Sequence, residues 1–105
     1  MVPIYKIKNI GYGFGFGGTN ANKSIYNKNH KKTLRVFIKN LKGNFLDTSI
    51  IYGKGQSEKI IGKLNPNLKK KIFISTKVSP ENLSYQKFID SCFKSCENLN
   101  VETVD

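Results

Sequence analysis

Three residues in the middle of the chain have types and spacing suited to proton transfer: Asp47, Tyr52 and Lys77. A phenol has a pKa of about 10 and is a poor acid at neutral pH, but a lysine ammonium close by favours the phenolate. A carboxylate beside the lysine would hold the ammonium charged and in place. The phenol could then donate a proton to a carbonyl oxygen while hydride arrives at the carbon. The alternative is a structural ion pair beside a tyrosine that anchors a loop, and spacing alone leaves both open.

Strands and helices alternate along the sequence, in an order that would bring these three residues together. Apolar periodicity predicts three strands, three helices and the beginning of a fourth strand. The strands are Ile4–Tyr12, Asn44–Thr48 and Lys71–Val78, the helices start near Lys31, at Ser57 and after Ser84, and the fourth strand begins in Val101–Asp105. This order indicates parallel β-α-β units. The carboxyl ends of parallel strands lie on one rim, where sites are built, so we expect the three side chains to converge there.

A glycine-rich stretch, Gly11–Gly18 (GYGFGFGG), follows the first predicted strand. Three of its glycines have the spacing G-x-G-x-x-G, namely Gly13, Gly15 and Gly18. A dinucleotide-binding turn of the doubly wound fold needs a helix that begins within the glycines and an acid roughly 20 residues on. Here residues 19–29 are polar and predict a loop, the helix is expected from about Lys31, and the first acid is Asp47. The sequence disfavours that fold and leaves a close approach to a ligand or a surface loop.

One histidine and two cysteines are the other candidates for chemistry. His30 falls in the predicted polar loop, so we expect it at the surface. Cys92 and Cys96 lie on the predicted apolar face of the third helix, together with Phe88, Ile89, Phe93 and Leu99. Two thiols without nearby partners make a poor zinc site, so we expect them to pack in the core and expect no metal.

Composition limits the class of protein. The chain has 105 residues, enough for one small domain, and 18 Lys and Arg against 7 Asp and Glu give a formal charge of +11. The lysines are scattered rather than grouped with arginines and aromatic residues, so we expect no nucleic-acid partner. No apolar run approaches the roughly 20 residues of a membrane helix, and residues 1–3 open no secretion signal. These features indicate a cytoplasmic protein with reduced thiols.

Four segments together resemble the aldo-keto reductase family. Phe45–Gly53 (FLDTSIIYG) is similar to the family's F-[FIL]-D-T-A-x-x-Y-G, with Ser49 in place of the usual alanine. Ser57–Gly62 (SEKIIG) is similar to S-E-x-x-[IL]-G, and Ile74–Val78 (ISTKV) to [IV]-x-T-K-V. Ile10–Gly13 (IGYG) resembles the I-G-x-G of the family's first strand. The order and spacing of these segments agree with the family over nearly the whole chain.

The resemblance implies an α/β fold, with residues 1–105 as the N-terminal part of a (β/α)8 TIM barrel. They would form an incomplete NADP-dependent oxidoreductase domain with about the first three β/α units and the start of strand 4. The implied reaction is reduction of aldehyde or ketone carbonyls of small molecules by hydride from NADPH or NADH, without a metal or a membrane. The three catalytic positions that the resemblance assigns are Asp47, Tyr52 as proton donor, and Lys77. The residues it places beside the nicotinamide end of the cofactor are Gly13, Phe14, Gly15 and Asp47.

The sequence also departs from the family pattern. Phe14 and Gly15 stand where the family usually has a threonine and an aromatic residue. The family's fourth catalytic residue, a histidine, follows the fourth strand and would lie beyond Asp105, so we expect the 105-residue chain alone to be inactive. Two alternatives to a reductase stay open: a non-catalytic, cofactor-binding or regulatory relative like the family's channel-associated subunits, and a degenerate remnant without activity.

Overall fold

A computed structural model describes residues 11–15, 23–40 and 44–105. The strands are β1 (Gly11–Gly13), β2 (Phe45–Asp47) and β3 (Phe73–Ser75), and the helices are α1 (Lys23–Asn40), α2 (Gln56–Gly62), α3 (Pro66–Lys69) and α4 (Tyr85–Leu99). A 3-10 helix, Pro80–Asn82, connects β3 to α4. The predicted alternation of strands and helices is confirmed over these ranges. The part of the predicted first strand before Gly11 lies outside the described residues.

The three strands form one parallel sheet in the order β1-β2-β3. Its register places Gly13 beside Asp47 and Asp47 beside Ser75. Two backbone hydrogen bonds continue the ladder past the strand ends: Phe14 N donates to Asp47 O at 2.7 Å, and Thr48 N donates to Ser75 O at 2.9 Å. All three strands therefore end on one rim, as the sequence predicted.

The two faces of the sheet carry different side chains, because successive residues of a strand point to opposite sides. Leu46 and Ile74 are buried in the hydrophobic core. On the other face the rings of Phe45 and Phe73 stack with centroids 5.4 Å apart. The remaining buried apolar residues of the core come from β1's exit, the helices and the approach to β3: Phe14, Leu34, Ile38, Ile60, Ile61, Ile72 and Leu99.

Helix α1 begins earlier than the sequence predicted. Residues 19–29 were expected to form a loop, but α1 starts at Lys23, so that expectation is wrong for the described part of this range. Leu34 and Ile38 form an apolar stripe that anchors α1 in the core. Once a helix is nucleated, each further residue adds a backbone hydrogen bond at little cost, so the polar residues before the stripe extend it.

The segment between α2 and β3 contains a short helix that the sequence interpretation missed. Helix α2 ends at Gly62, and Asn65 and Pro66 start α3. The side chain of Asn65 accepts a hydrogen bond from Asn67 N at 2.9 Å, and Pro66 occupies the first turn. A side-chain cap followed by proline is a normal start for a helix.

Helix α4 buries only part of the face that was predicted: Leu99 lies in the core as expected. Phe88 and Phe93 are exposed, the latter by 72%, whereas Ser91 and Ser95 are buried. The reason is the close approach of α4 to α2, where a Cβ on Gly62 would collide with α4's C-terminal backbone. Small side chains permit such an approach, so the serine face turns inward.

Neither α4 nor any other helix in the described ranges is long and apolar enough to cross a membrane.

Residues after α4 do not form the predicted strand. No strand is assigned to Val101–Asp105, which the structure describes in full. Instead, a carboxylate oxygen of Asp105 accepts the backbone N–H of Ile74 at 3.0 Å. A strand requires a ladder of backbone hydrogen bonds, and here a side chain takes one place along the outer edge of β3.

Candidate active site

A tight turn after β2 carries Tyr52 to the rim. Gly53, Lys54 and Gly55 are all left-handed, with φ of 59°, 55° and 81°. Glycine adopts this conformation without steric cost, and a non-glycine residue such as Lys54 does so less readily. The N–H of Ser57 then donates to Tyr52 O at 3.3 Å. The turn reverses the chain into α2 while Tyr52 stays beside the strand ends.

Lys77 and Asp47 form an ion pair at the same rim. The Lys77 ammonium lies 2.8 Å from both carboxylate oxygens of Asp47 and donates a third hydrogen bond to Thr48 O at 2.8 Å. The expectation that these residues lie within ion-pair distance is confirmed. The side chains are 48% and 35% exposed, so solvent screens the pair, and its main effect is to fix the position of the ammonium.

The same ammonium faces the ring of Tyr52. Lys77 Nζ lies 5.3 Å from the ring centroid, within the range of a cation–π contact. The structure therefore brings Asp47, Tyr52 and Lys77 into one cluster. The cluster places a positive charge beside the aromatic ring of Tyr52.

The glycine-rich stretch contacts this cluster through Gly15, which lies against the ring of Tyr52. A Cβ on Gly15 would stand 3.3 Å from two ring carbons of Tyr52, whereas a Cβ on Gly13 would meet no atom within 4 Å. The side chain of Phe14 is buried in the core. Of the residues expected beside a cofactor, Gly13 and Asp47 thus border open space, Gly15 supports Tyr52, and Phe14 packs inward.

Two buried hydroxyl groups donate hydrogen bonds to backbone carbonyls at the rim, and the sequence interpretation assigned them no role. Thr48 Oγ1 donates to Phe14 O at 3.0 Å, and Ser49 Oγ donates to Lys77 O at 3.3 Å. Ser49 stands where the resemblance has alanine, so its hydroxyl adds a contact with the backbone of Lys77. The sequence feature that could have identified Thr48 and Ser49 is their position directly after a buried strand.

Behind the rim lies a fully buried carboxylate, Glu58, in the first turn of α2. One of its oxygens accepts from Thr76 Oγ1 at 2.8 Å and the other from Asn98 Nδ2 at 2.8 Å. Sequence reasoning used Glu58 as part of a motif but assigned it no contact. Its partners are far away in sequence, so no local pattern could have identified them.

His30 and the cysteines lie away from the cluster. His30 is on α1, not in a loop, and is half-buried with its ring edge-on to Phe14 at 5.5 Å between centroids. Burial lowers the pKa of His30.

Cys92 and Cys96 are half-buried free thiols rather than core residues. Within the described ranges, no group of three His, Cys, Asp or Glu side chains could hold a metal ion.

Comparisons with known proteins agree with this geometry. The sequence profile of the aldo/keto reductase family matches residues 9–105. The methylglyoxal reductase YeaE of Escherichia coli K12 is 32% identical over 96 residues, which cover 91% of this chain and 32% of that protein. The chain thus spans 32% of the length of this curated relative.

Solved structures give the same result for the fold. An aldo-keto reductase from Klebsiella pneumoniae in complex with NADPH has a TM-score of 0.75 at 22% identity, over 90% of this chain and 32% of that one. A thermostable aldo-keto reductase in complex with the inhibitor epalrestat has a TM-score of 0.75 at 27% identity, over 90% of this chain and 35% of that one. The parallel sheet and its helices therefore correspond to part of a (β/α)8 barrel, and the chain belongs to the aldo/keto reductase family.

Proposed function

We propose that this chain provides the proton-donating part of an NADP(H)-dependent carbonyl reductase site, with Tyr52 as the acid. The observation that supports the proposal best is the position of the Lys77 ammonium. It is held by both oxygens of Asp47 at 2.8 Å and lies 5.3 Å from the Tyr52 ring centroid. The substrate class is a small aldehyde or ketone, in line with the methylglyoxal reductase among the relatives.

These contacts support a proton transfer in which Tyr52 is the donor. As a substrate oxygen gains negative charge, Tyr52 donates its phenolic proton to it. The phenol oxygen becomes negative in turn, and the Lys77 ammonium stabilises that charge. Asp47 prevents the ammonium from moving towards solvent, since both carboxylate oxygens accept its hydrogen bonds.

Open space at the rim supports a nicotinamide site there. There is free space over Gly13, where a Cβ would meet no atom within 4 Å, and Gly13 is paired with Asp47 in the sheet. A flat ring could therefore approach the backbone of β1 beside the carboxylate. NADPH supplies the hydride when it is bound, and the similar Klebsiella pneumoniae protein was solved with NADPH.

The chain spans only 32% of the length of the E. coli methylglyoxal reductase. The proposal is therefore tested in a chimera of the two proteins. Residues 9–105 replace the matching segment of E. coli methylglyoxal reductase, and NADPH oxidation is followed with methylglyoxal as substrate. We expect turnover by the chimera and a loss of about 10²–10⁴-fold in kcat for Tyr52→Phe, the range typical of general acid catalysis. The affinity for NADPH, measured by fluorescence, should change little.

The matched control is Tyr85→Phe, which makes the same chemical change at a tyrosine that is 83% exposed on α4. Its kcat should equal that of the parent chimera. If Tyr52→Phe also keeps the parent kcat, Tyr52 is not the acid. The ion pair would then be structural, as in a non-catalytic relative.

A further inference from the structure

We propose that Glu58 is a positioning residue that holds Lys77 at the rim through Thr76. The inference rests on the proposed function in that Lys77 is given its role there. Glu58 belongs to α2, Thr76 directly precedes Lys77 after β3, and their side chains meet at 2.8 Å. The contact joins residues 18 positions apart and fixes the exit of β3 against the first turn of α2.

The environment of Glu58 makes this contact specific. The side chain is fully buried, and a buried carboxylate is costly unless donors satisfy its oxygens. Thr76 Oγ1 donates to one oxygen and Asn98 Nδ2 to the other, both at 2.8 Å. Loss of either donor leaves a buried oxygen without a partner, so the three side chains have one favourable arrangement.

The same carboxylate connects the two elements that carry the cluster. On one side, Thr76 sets the backbone from which the Lys77 side chain extends towards Asp47. On the other side, the Asn98 amide nitrogen lies 3.2 Å from the position of a Cβ on Gly55, at the end of the turn that carries Tyr52. Glu58 therefore contacts the β3 exit directly, and it reaches the Tyr52 turn through Asn98, which packs closely against Gly55.

The backbone of Lys77 has weaker support from elsewhere. Its carbonyl accepts from Ser49 Oγ at 3.3 Å and from Ile50 N at 3.4 Å. Both bonds are long for their donor types. The Thr76–Glu58 bond is thus the shortest hydrogen bond that holds the backbone next to Lys77. Its loss should shift that backbone and weaken the bonds of the ammonium to Asp47 and Thr48 before the fold is lost.

Amine accessibility measures this release in the 105-residue chain itself. Each variant is treated briefly with acetic anhydride, and acetylation at each lysine is quantified by mass spectrometry relative to exposed Lys54. Lys69 reports general loosening, because it is buried and its ammonium donates to three backbone carbonyls. We expect Thr76→Val to raise acetylation of Lys77 about fivefold, which corresponds to one net hydrogen bond of about 1 kcal/mol, with no change at Lys69.

Three variants complete the test. Thr76→Ser keeps the hydroxyl donor. In Glu58→Gln the amide oxygen can accept from Asn98 Nδ2 while the amide nitrogen donates to Thr76 Oγ1, so in both variants Lys77 should stay as protected as in the parent chain. Ser57→Ala removes a neighbouring buried hydroxyl that has no hydrogen-bond partner among the described residues, and it should also leave Lys77 unchanged. An unchanged Lys77 in Thr76→Val, or a parallel rise at Lys69, would overturn the proposal. The measurement needs no cofactor or turnover, so its outcome is independent of whether Tyr52 proves to be the acid.

Discussion

The ring of Tyr52 rests directly on the backbone of Gly15. A Cβ at Gly15 would stand 3.3 Å from Tyr52 Cδ2 and Cε2, closer than ordinary van der Waals contact between carbons. Gly15, in the glycine stretch whose spacing resembles a nucleotide-binding turn, therefore limits how closely the Tyr52 ring approaches the backbone after β1. The contact explains why a small residue at this position suits the cluster.

Replacing Gly15 by alanine should disturb Tyr52, whereas the same change at Gly13 should not. The new methyl at Gly15 pushes against the ring, and such overpacking costs about 1 kcal/mol or more. A methyl at Gly13 meets no atom within 4 Å, so its effect should stay within about 0.5 kcal/mol. Urea unfolding gives the free energies, and NMR shifts of the Tyr52 ring report the displacement. Equal effects of Gly15→Ala and Gly13→Ala on both readouts would contradict the prediction.

Replacing Lys77 by methionine should lower kcat in the chimera by about 10²–10⁴-fold. Methionine keeps the length of the side chain but removes the charge that lies 5.3 Å from the Tyr52 ring centroid. The measurement is steady-state kinetics with NADPH and methylglyoxal. Lys54→Met, at an exposed lysine in the Tyr52 turn, is the control and should keep its kcat. A Lys77→Met enzyme with near-normal kcat would show that the ammonium is dispensable.

Replacing Lys69 by methionine should destabilise the fold by about 3 kcal/mol. The buried ammonium donates to the carbonyls of Gly62, Leu99 and Asn100 at 3.1, 3.1 and 2.7 Å, and thus joins the C-terminal ends of α2 and α4. Each buried carbonyl that loses its donor costs about 1 kcal/mol or more. Lys70→Met is the control, because Lys70 is exposed and adjacent. Similar urea midpoints for the two variants would argue against a structural role for Lys69.

Acidification should weaken the fold through His30. Burial lowers the pKa of His30 in the folded chain below its ordinary value of about 6.5. Between the folded pKa and about 6.5 the unfolded chain binds more protons, so stability falls as the pH falls through that window. His30 is the single histidine of the chain, so NMR titration of its ring gives the pKa without overlap.

The stability measurement for His30 compares urea unfolding of the parent chain and His30→Gln between about pH 5 and 7.5, around the ordinary histidine pKa. Glutamine does not titrate, so the histidine-dependent part of the slope should disappear in the variant. Carboxylates titrate mainly below this range and are common to both proteins. A folded-state pKa at or above the ordinary value, or identical slopes for the two proteins, would refute the prediction.

Sequence patterns alone were enough to predict the alternation of three strands with three of the helices and their common rim. Strand periodicity is local, so Leu46 and Ile74 could be assigned to buried strands from their neighbours alone. Parallel strands joined by helices end at the same edge of a sheet, so the sequence predicted that Asp47 and Lys77 lie close together. The family resemblance rested on the same segments, and it predicted the barrel-type fold and the three candidate residues.

The packed helix faces and the polar contacts depend on how the elements lie against one another in three dimensions. The inward turn of Ser91 and Ser95 on α4 depends on how closely α2 approaches. The stripe predicted from apolar periodicity was therefore wrong for Phe88 and Phe93, whereas Leu99 is buried as predicted. Glu58 finds its partners 18 and 40 positions away, and Gly15 finds Tyr52 across the rim. Such contacts depend on the positions of whole elements relative to one another, and the local spacing of residues along the chain does not specify them.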